Sequence, residues 1–407
     1  MSPSGRVAFQ HSNFRGVISA RFLGTAAGEM QAVAVGWQIY SLTHKPLDLG
    51  LVGLAQFLPG VLLFLVAGQT ADRFPRERIL QCCFGAFATV SAMLVALSWR
   101  GLTVVWPIYA VLVVQGVVRA FTTPAAQALI PLTVPEDVFP NAVAWASSAF
   151  QAAMVIGPSI GGAMYGIANS PVPVYMASSA SCLVAMVLVS RVRIGHVKSA
   201  TAQTHVLEGL RYLWRAKLTL GAVTLDLFAV LLGGAVALLP VYARDILKVG
   251  ALGLGILRGA PSAGAVTMAI LLAHRPLRRR AGAVLLWCVC GFGVFTVVFA
   301  LSRSMVLSVL SLILVGACDM VSVILRHTLV QISTPNQMRG RVSAVNMVFI
   351  SASNEVGQFE SGLTAQWFGT VPAAVLGGIG TIVVVALWAW LFPELRRVSE
   401  LQPKGST

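Results

Sequence analysis

The chain has 407 residues, of which 57% are hydrophobic and only 11% charged, and its formal net charge is +15. Soluble globular proteins carry about 25% charged residues, so this composition excludes a cytosolic enzyme, a disordered chain and a secreted disulfide scaffold. A polytopic membrane protein remains.

A helix needs about 20 mostly apolar residues to cross the hydrocarbon core. Twelve stretches qualify: 16–40, 49–71, 79–99, 103–130, 138–167, 171–190, 218–243, 251–273, 282–302, 305–330, 340–368 and 371–392. They do not alternate apolar with polar, as barrel strands would. Residues 1–15 lack the apolar core and cleavage site of a signal peptide, so the first span is expected to be retained.

The spans carry polar groups in a definite order. The first holds Arg21 and Glu29, two turns apart on one face, and then Trp37. The second holds Gln56 and runs into Gly68-Gln-Thr-Ala-Asp72-Arg73-Phe-Pro-Arg76-Glu-Arg78. The fourth holds Gln115 and Arg119, and the fifth Gly157-Pro158-Ser-Ile-Gly161-Gly162. Between the sixth and seventh spans, Val206, Leu207, Leu210, Leu213 and Trp214 recur at helical spacing opposite Glu208, Arg211 and Arg215. That pattern predicts a short amphipathic helix at the membrane surface. Asp226 lies in the seventh span with no same-span basic residue nearer than Lys217, and Arg258 lies in the eighth. The tenth holds Asp319 and Arg326; the eleventh holds Asn346, Asn354, Glu355, Gln358 and Glu360.

The basic balance is a matter of topology. With the N-terminus taken as cytoplasmic, 20 of the 29 Lys and Arg fall on that side. Five fall on the other: Lys45, Arg100, Arg244, Lys248 and Arg303. The positive-inside rule then places both termini in the cytoplasm and removes the need for a nucleic-acid partner. The six cysteines lie in or beside apolar spans with no His at metal-ligand spacing, so neither a disulfide framework nor a metal site is expected.

The chain repeats. At an ungapped offset of 200, Gly116 matches Gly316, Pro135 matches Pro335, Gly157 matches Gly357 and Gly162 matches Gly362. Two parallel six-span repeats are an architecture of secondary transporters. The expected division is a first half over 1–192, a cytoplasmic linker with the amphipathic helix over 193–217, a second half over 218–394 and a cytoplasmic tail over 395–407.

Ionisable groups within the bilayer cost at least ~2.5–3.5 kcal/mol at a helix centre and are kept for function or pairing. Proton coupling needs an acid that meets the two sides of the membrane in turn. The candidates are Glu29, Asp226, Asp319, Glu355 and Glu360, with Arg21, Arg119, Arg258 and Arg326 as the membrane cations. Spacing suggests that Asp319 pairs with Arg326 on one helix, or with Arg119 at its equivalent position in the repeat. Candidate substrate contacts are Trp37, Gln56, Gln115, Asn346, Asn354 and Gln358, although a buried amide also serves as helix-to-helix glue.

The segment Gly68–Arg78 resembles the loop motif between spans two and three of the major facilitator superfamily. That resemblance implies a conformational switch built from Gly68, Asp72, Arg73 and Arg76, with Arg339 or Arg341 as the partner of Asp72. The segments Ala20-Arg21-Phe22-Leu23, Pro124-Ala-Ala-Gln127-Ala-Leu-Ile-Pro131, Leu225-Asp226-Leu-Phe, Leu257-Arg258-Gly-Ala-Pro261 and Arg339-Gly-Arg341-Val look like the transmembrane secretion effector branch, to which enterobactin exporters are similar. Gly157, Pro158, Gly161 and Gly162 resemble the antiporter motif of the superfamily. The resemblances imply an all-α, twelve-helix, multi-pass protein of the bacterial inner membrane, acting as a monomer without a cofactor. Its partners would be protons and a small amphipathic molecule, exported by antiport. Uptake by symport or facilitation is the alternative, and a membrane-embedded sensor or enzyme a more distant one.

Overall fold

The computed structural model describes residues 3–192, 206–275, 280–335 and 338–397. A 3-10 helix, Pro3–Gln10, precedes six long helices: α1 (Ser12–Thr43), α2 (Pro46–Arg73), α3 (Arg76–Trp99), α4 (Trp106–Leu129), α5 (Phe139–Ala168) and α6 (Val172–Ser190). A short helix, α7 (Val206–Arg215), follows. Then come α8 (Lys217–Leu232), α9 (Gly250–His274), α10 (Ala281–Leu301), α11 (Met305–Ser333), α12 (Arg339–Phe368), α13 (Thr370–Leu391) and α14 (Pro393–Arg397). Prolines sit in the first turns of α4, α5 and α6, where the missing N–H breaks no hydrogen bond. His44 and Asn169 close α1 and α5 in the left-handed conformation.

Among the described residues, ten helical segments are long and apolar enough to cross a membrane. The two remaining predicted spans fall on α1 and α12, which carry the heaviest polar load: Arg15, Arg21 and Glu29 on α1, and Arg339, Arg341, Glu355 and Glu360 on α12. The seventh span stands as Lys217–Ile246, long and apolar enough to cross a membrane, but it is interrupted. It is not one continuous helix over 218–243, because α8 stops at Leu232 and the chain proceeds through 3-10, α and π turns to Ile246. Gly233-Gly234 makes the break. A Cβ at Gly234 would lie 2.8 Å from the Gly357 carbonyl oxygen, and one at Gly233 would lie 2.8 Å from the Ala229 carbonyl oxygen, so no larger residue fits without displacement.

The chain forms two compact units. The first comprises Met1–His44, Leu54–Thr201 and Val249–Gly259; the second comprises Lys45–Gly53, Ala202–Lys248 and Ala260–Thr407. In the first, α3 packs on α6 and α4, and α1 packs on α5 and α6. In the second, α10 packs on α13 and α11, and α8 packs on α12 and α13. These are the same four pairings, shifted by one six-helix set. Within the first unit, Val17, Ala20, Leu80, Phe84, Leu129, Ala185 and Val189 form a buried cluster. Within the second, Leu225, Ala229, Leu285, Val289, Leu325, Leu329 and Val384 do so.

The matched glycines do equivalent work in the two units. Gly116 of α4 abuts the Gln56 carbonyl of α2, and Gly316 of α11 abuts the Pro261 carbonyl of α9. A Cβ at Gly157 would lie 2.9 Å from the Ala26 carbonyl oxygen of α1, and one at Gly357 2.9 Å from the Leu231 carbonyl oxygen of α8. A Cβ at Gly162 would lie 2.5 Å from the Ala251 carbonyl oxygen of α9, and one at Gly362 2.9 Å from the Pro46 carbonyl oxygen of α2. The prolines match too: the N–H of Val138 donates to the Pro135 carbonyl at 3.1 Å, and the N–H of Met338 donates to the Pro335 carbonyl at 2.9 Å. Small residues at such crossings let membrane helices approach closely.

Helix α7 belongs to the second unit. Leu213 is buried against Val223, Val330, Val342 and Val345, while Trp214, Arg211 and Arg215 are exposed. The Tyr212 hydroxyl donates to the Ser333 carbonyl at 3.0 Å, and Arg341 pairs with Glu208. Linker residues 193–205 and tail residues 398–407 lie outside the described residues.

Candidate functional site

The membrane acids and cations divide into two sets. In the first unit, Glu29 on α1 faces Arg258 on the first turns of α9, Oε2 to Nε at 3.5 Å. Both side chains are roughly a quarter exposed, at 22% and 26%. Gly157 makes this placement possible, since its missing side chain leaves room for the Glu29 Cβ. The partner of Glu29 is therefore on another helix, and not Arg21 two turns away on its own. Arg119, on the exposed face of α4, donates to the Gln56 Oε1 at 2.9 Å.

A buried hydrogen-bond chain runs beside these groups. The Gln31 amide donates to Gln115 at 2.8 Å and accepts from the Ser91 hydroxyl at 2.6 Å. One turn-pair further along α1, Gln38 donates to Ser98 at 3.0 Å and accepts from the Tyr175 hydroxyl at 2.7 Å. Gln115 is 6% exposed and so ties α4 to α1. Gln31, Gln38, Ser91 and Tyr175 were not singled out from the sequence. Their signal was two amides seven residues apart on an apolar span. Trp37 makes an edge contact with Tyr165, ring centres 6.3 Å apart.

In the second unit, Asp226 on α8 accepts from Arg326 on α11, Oδ2 to Nη1 at 2.6 Å, with both side chains buried. This corrects the expected pairing of Arg326 with Asp319. Same-helix spacing proposed that pair, but α8 and α11 bring a nearer carboxylate across. Asp319 forms no ion pair among the described residues. The Arg326 Nε and the Asn346 Oδ1 are buried without hydrogen-bond partners among the described residues, an unusual state for polar atoms. On α12, Gln358 donates to Glu355 at 3.3 Å, Glu360 accepts from Thr364 at 2.6 Å, and Asn354 donates to the Ile350 carbonyl at 2.8 Å.

The motif residues divide in the same way. Gly157, Pro158, Gly161 and Gly162 are buried, and a Cβ at Gly161 would lie 2.7 Å from the Met30 Cα. Together they seat α5 against α1 and against the start of α9. Gly255 and Gly259 serve the same α5–α9 seam. At Gly68 an added Cβ would meet no atom within 4 Å among the described residues. Arg73 is exposed, and Arg76 donates to the Ala128 carbonyl at 3.2 Å. Arg341 takes Glu208 as its partner; the side chains of Asp72 and Arg339 lie outside the described residues.

The sequence matches the family model described as transmembrane secretion effector over residues 4–406. It is 25% identical over 402 residues to the enterobactin exporter EntS of Shigella boydii serotype 4, covering 97% of this chain and 95% of that one. The enterobactin exporter EntS of Escherichia coli O81 matches with the same identity and coverage. The fold is similar to that of a bacterial homologue of the human lysosomal transporter Spinster, with a TM-score of 0.73, 15% identity and 98% of each chain covered. It is also similar to a D-xylose-proton symporter, with a TM-score of 0.71, 15% identity and 96% and 99% covered.

Proposed function

We propose that this chain, which belongs to the transmembrane secretion effector family and is a multi-pass membrane transporter of the major facilitator type, exports a small amphipathic molecule by proton antiport. The observation that carries the coupling is the Glu29–Arg258 contact. At 3.5 Å and partly exposed, it is a loose pair. Protonation of Glu29 would remove its charge and release Arg258; deprotonation would restore the contact. A group that changes partner with protonation state, on helices that must move, is what alternating access requires of a proton carrier. Asp226, held tightly by Arg326 in a dry environment, suits a fixed structural role.

The export direction rests on relatives that carry the name of an exporter. Both termini and α7 lie in the cytoplasm on this reading, in line with the charge asymmetry. The test is accumulation and efflux of a compound panel in cells with and without this gene. Export predicts lower accumulation of at least one amphipathic compound in the expressing cells, with the difference lost when the proton gradient is collapsed. Higher accumulation in the expressing cells would make the chain an importer.

A further inference from the structure

On α7, Arg211, Trp214 and Arg215 share one exposed face, at positions i, i+3 and i+4, opposite the buried Leu213. Lys217, also exposed, opens the span Lys217–Ile246. Arg396 and Arg397 of α14 are exposed at the same end of the second unit, since Leu395 beside them is buried in one cluster with Ala222 of α8 and Ala281 of α10. Of the exposed acids on these elements, Glu208 is paired with Arg341, which leaves Glu394 against five cations. Packing sets the depth of this face. Leu213 is buried with Val223, about 9 Å along α8 from Lys217, so α7 lies beside the first turns of the span and not beyond it. The indoles agree. Trp214 is 66% exposed, and Trp390 in the last turn of α13 and Trp287 in the second turn of α10 are exposed at the same end. Tryptophans collect at the headgroup level of a bilayer.

Cations beside a tryptophan at that depth suit a surface of net negative charge, and each Lys or Arg near an anionic leaflet adds to the attraction. The chain is already anchored in the bilayer, so headgroups stand against this face at high effective concentration. We propose that α7 and α14 bind anionic phospholipid headgroups, and that α7 transmits their hold to the connection between α11 and α12. Helix α7 touches both ends of that connection. The Tyr212 hydroxyl donates to the carbonyl of Ser333, the last residue of α11, and Glu208 pairs with Arg341 in the first turn of α12. A headgroup phosphate accepts charge-assisted hydrogen bonds from Arg211 and Arg215. Phosphatidylcholine offers the same phosphate with its charge cancelled by choline, so the anionic lipid is preferred.

Native mass spectrometry of the purified full chain, titrated with phosphatidylglycerol or phosphatidylcholine, tests the proposal. The parent should retain phosphatidylglycerol in preference to phosphatidylcholine. The double variant R211Q/R215Q should lose about thirtyfold in affinity for phosphatidylglycerol and keep its affinity for phosphatidylcholine. R396Q/R397Q is a second pair for which a loss of the same kind is expected, should the first fail to fold. R15Q/R191Q, which removes two exposed cations from the first unit, should behave like the parent. Phosphatidylglycerol should raise the thermal midpoint of the parent, and Tyr212→Phe should bind the lipid as the parent does but gain less from it. Equal retention of the two lipids by the parent would overturn the proposal, as would a preference that survives both pairs of substitutions. An equal loss in R15Q/R191Q would reduce the effect to a diffuse field and also overturn it. Displacement of phosphatidylglycerol by soluble polyglutamate would assign the face to an acidic protein, with the same consequence. Neither a transported substrate nor a proton gradient enters the assay, so its outcome is separate from that of the export reading.

Discussion

At the scale of single residues, the two principal ion pairs differ in kind. Asp226–Arg326 is short and buried, so removing one partner leaves an uncompensated charge, which costs about 3–5 kcal/mol. Asp226→Asn and Arg326→Ala should each lower the thermal midpoint of the detergent-purified protein sharply. The double variant Asp226→Leu/Arg326→Met should recover most of the loss, because paired apolar residues leave no orphaned charge. A double variant as unstable as the singles would show that the pair is not the source of the effect. The sequence disclosed that both residues lie in the membrane. It could not disclose that they meet, because spacing along one helix brings Asp319 and Arg326 together equally well. Partner choice is set by α8–α11 packing, which no local pattern encodes.

Among the elements, the glycines separate contact from ornament. Gly316 abuts the Pro261 carbonyl, and an added methyl there has only backbone to displace. Gly316→Ala should reduce the yield of monodisperse protein severely. Gly68→Ala should leave stability within about 0.5 kcal/mol of the parent, since its methyl meets no atom within 4 Å among the described residues. Size-exclusion profiles and thermal midpoints of the two variants compare them directly. Helix α7 offers a similar contrast. Leu213→Ala should cost about 2–5 kcal/mol, as Leu213 is buried among Val223, Val330 and Val342. Glu208→Gln removes a surface pair worth about 0–1 kcal/mol and should go nearly unnoticed in the same melting experiment. Both the repeat glycines and the amphipathic face of α7 were legible from spacing alone. The break at Gly233-Gly234 was not, because the flanking residues stay apolar through Val241 and hydropathy does not register a lost helical hydrogen bond.

For the molecule as a whole, the charge asymmetry makes a topological prediction. A single cysteine at position 198, in an otherwise cysteine-free protein, should resist an impermeant thiol reagent added outside intact cells, and one at Lys45 should react with it. The reverse pattern would invert the orientation and with it the export reading. Energy coupling is the central claim. It concentrates on Glu29, which proton antiport requires to change protonation during the cycle. The decisive measurement is substrate-driven proton movement in proteoliposomes, with and without an imposed pH gradient, comparing the parent with Glu29→Gln. The substrate would be one identified by the efflux panel. The account predicts that the parent moves protons and pumps uphill. Glu29→Gln should lose both while keeping part of the downhill exchange, because a permanently neutral group still permits the conformations of the protonated state. Uphill pumping by Glu29→Gln at the parent's rate would contradict it.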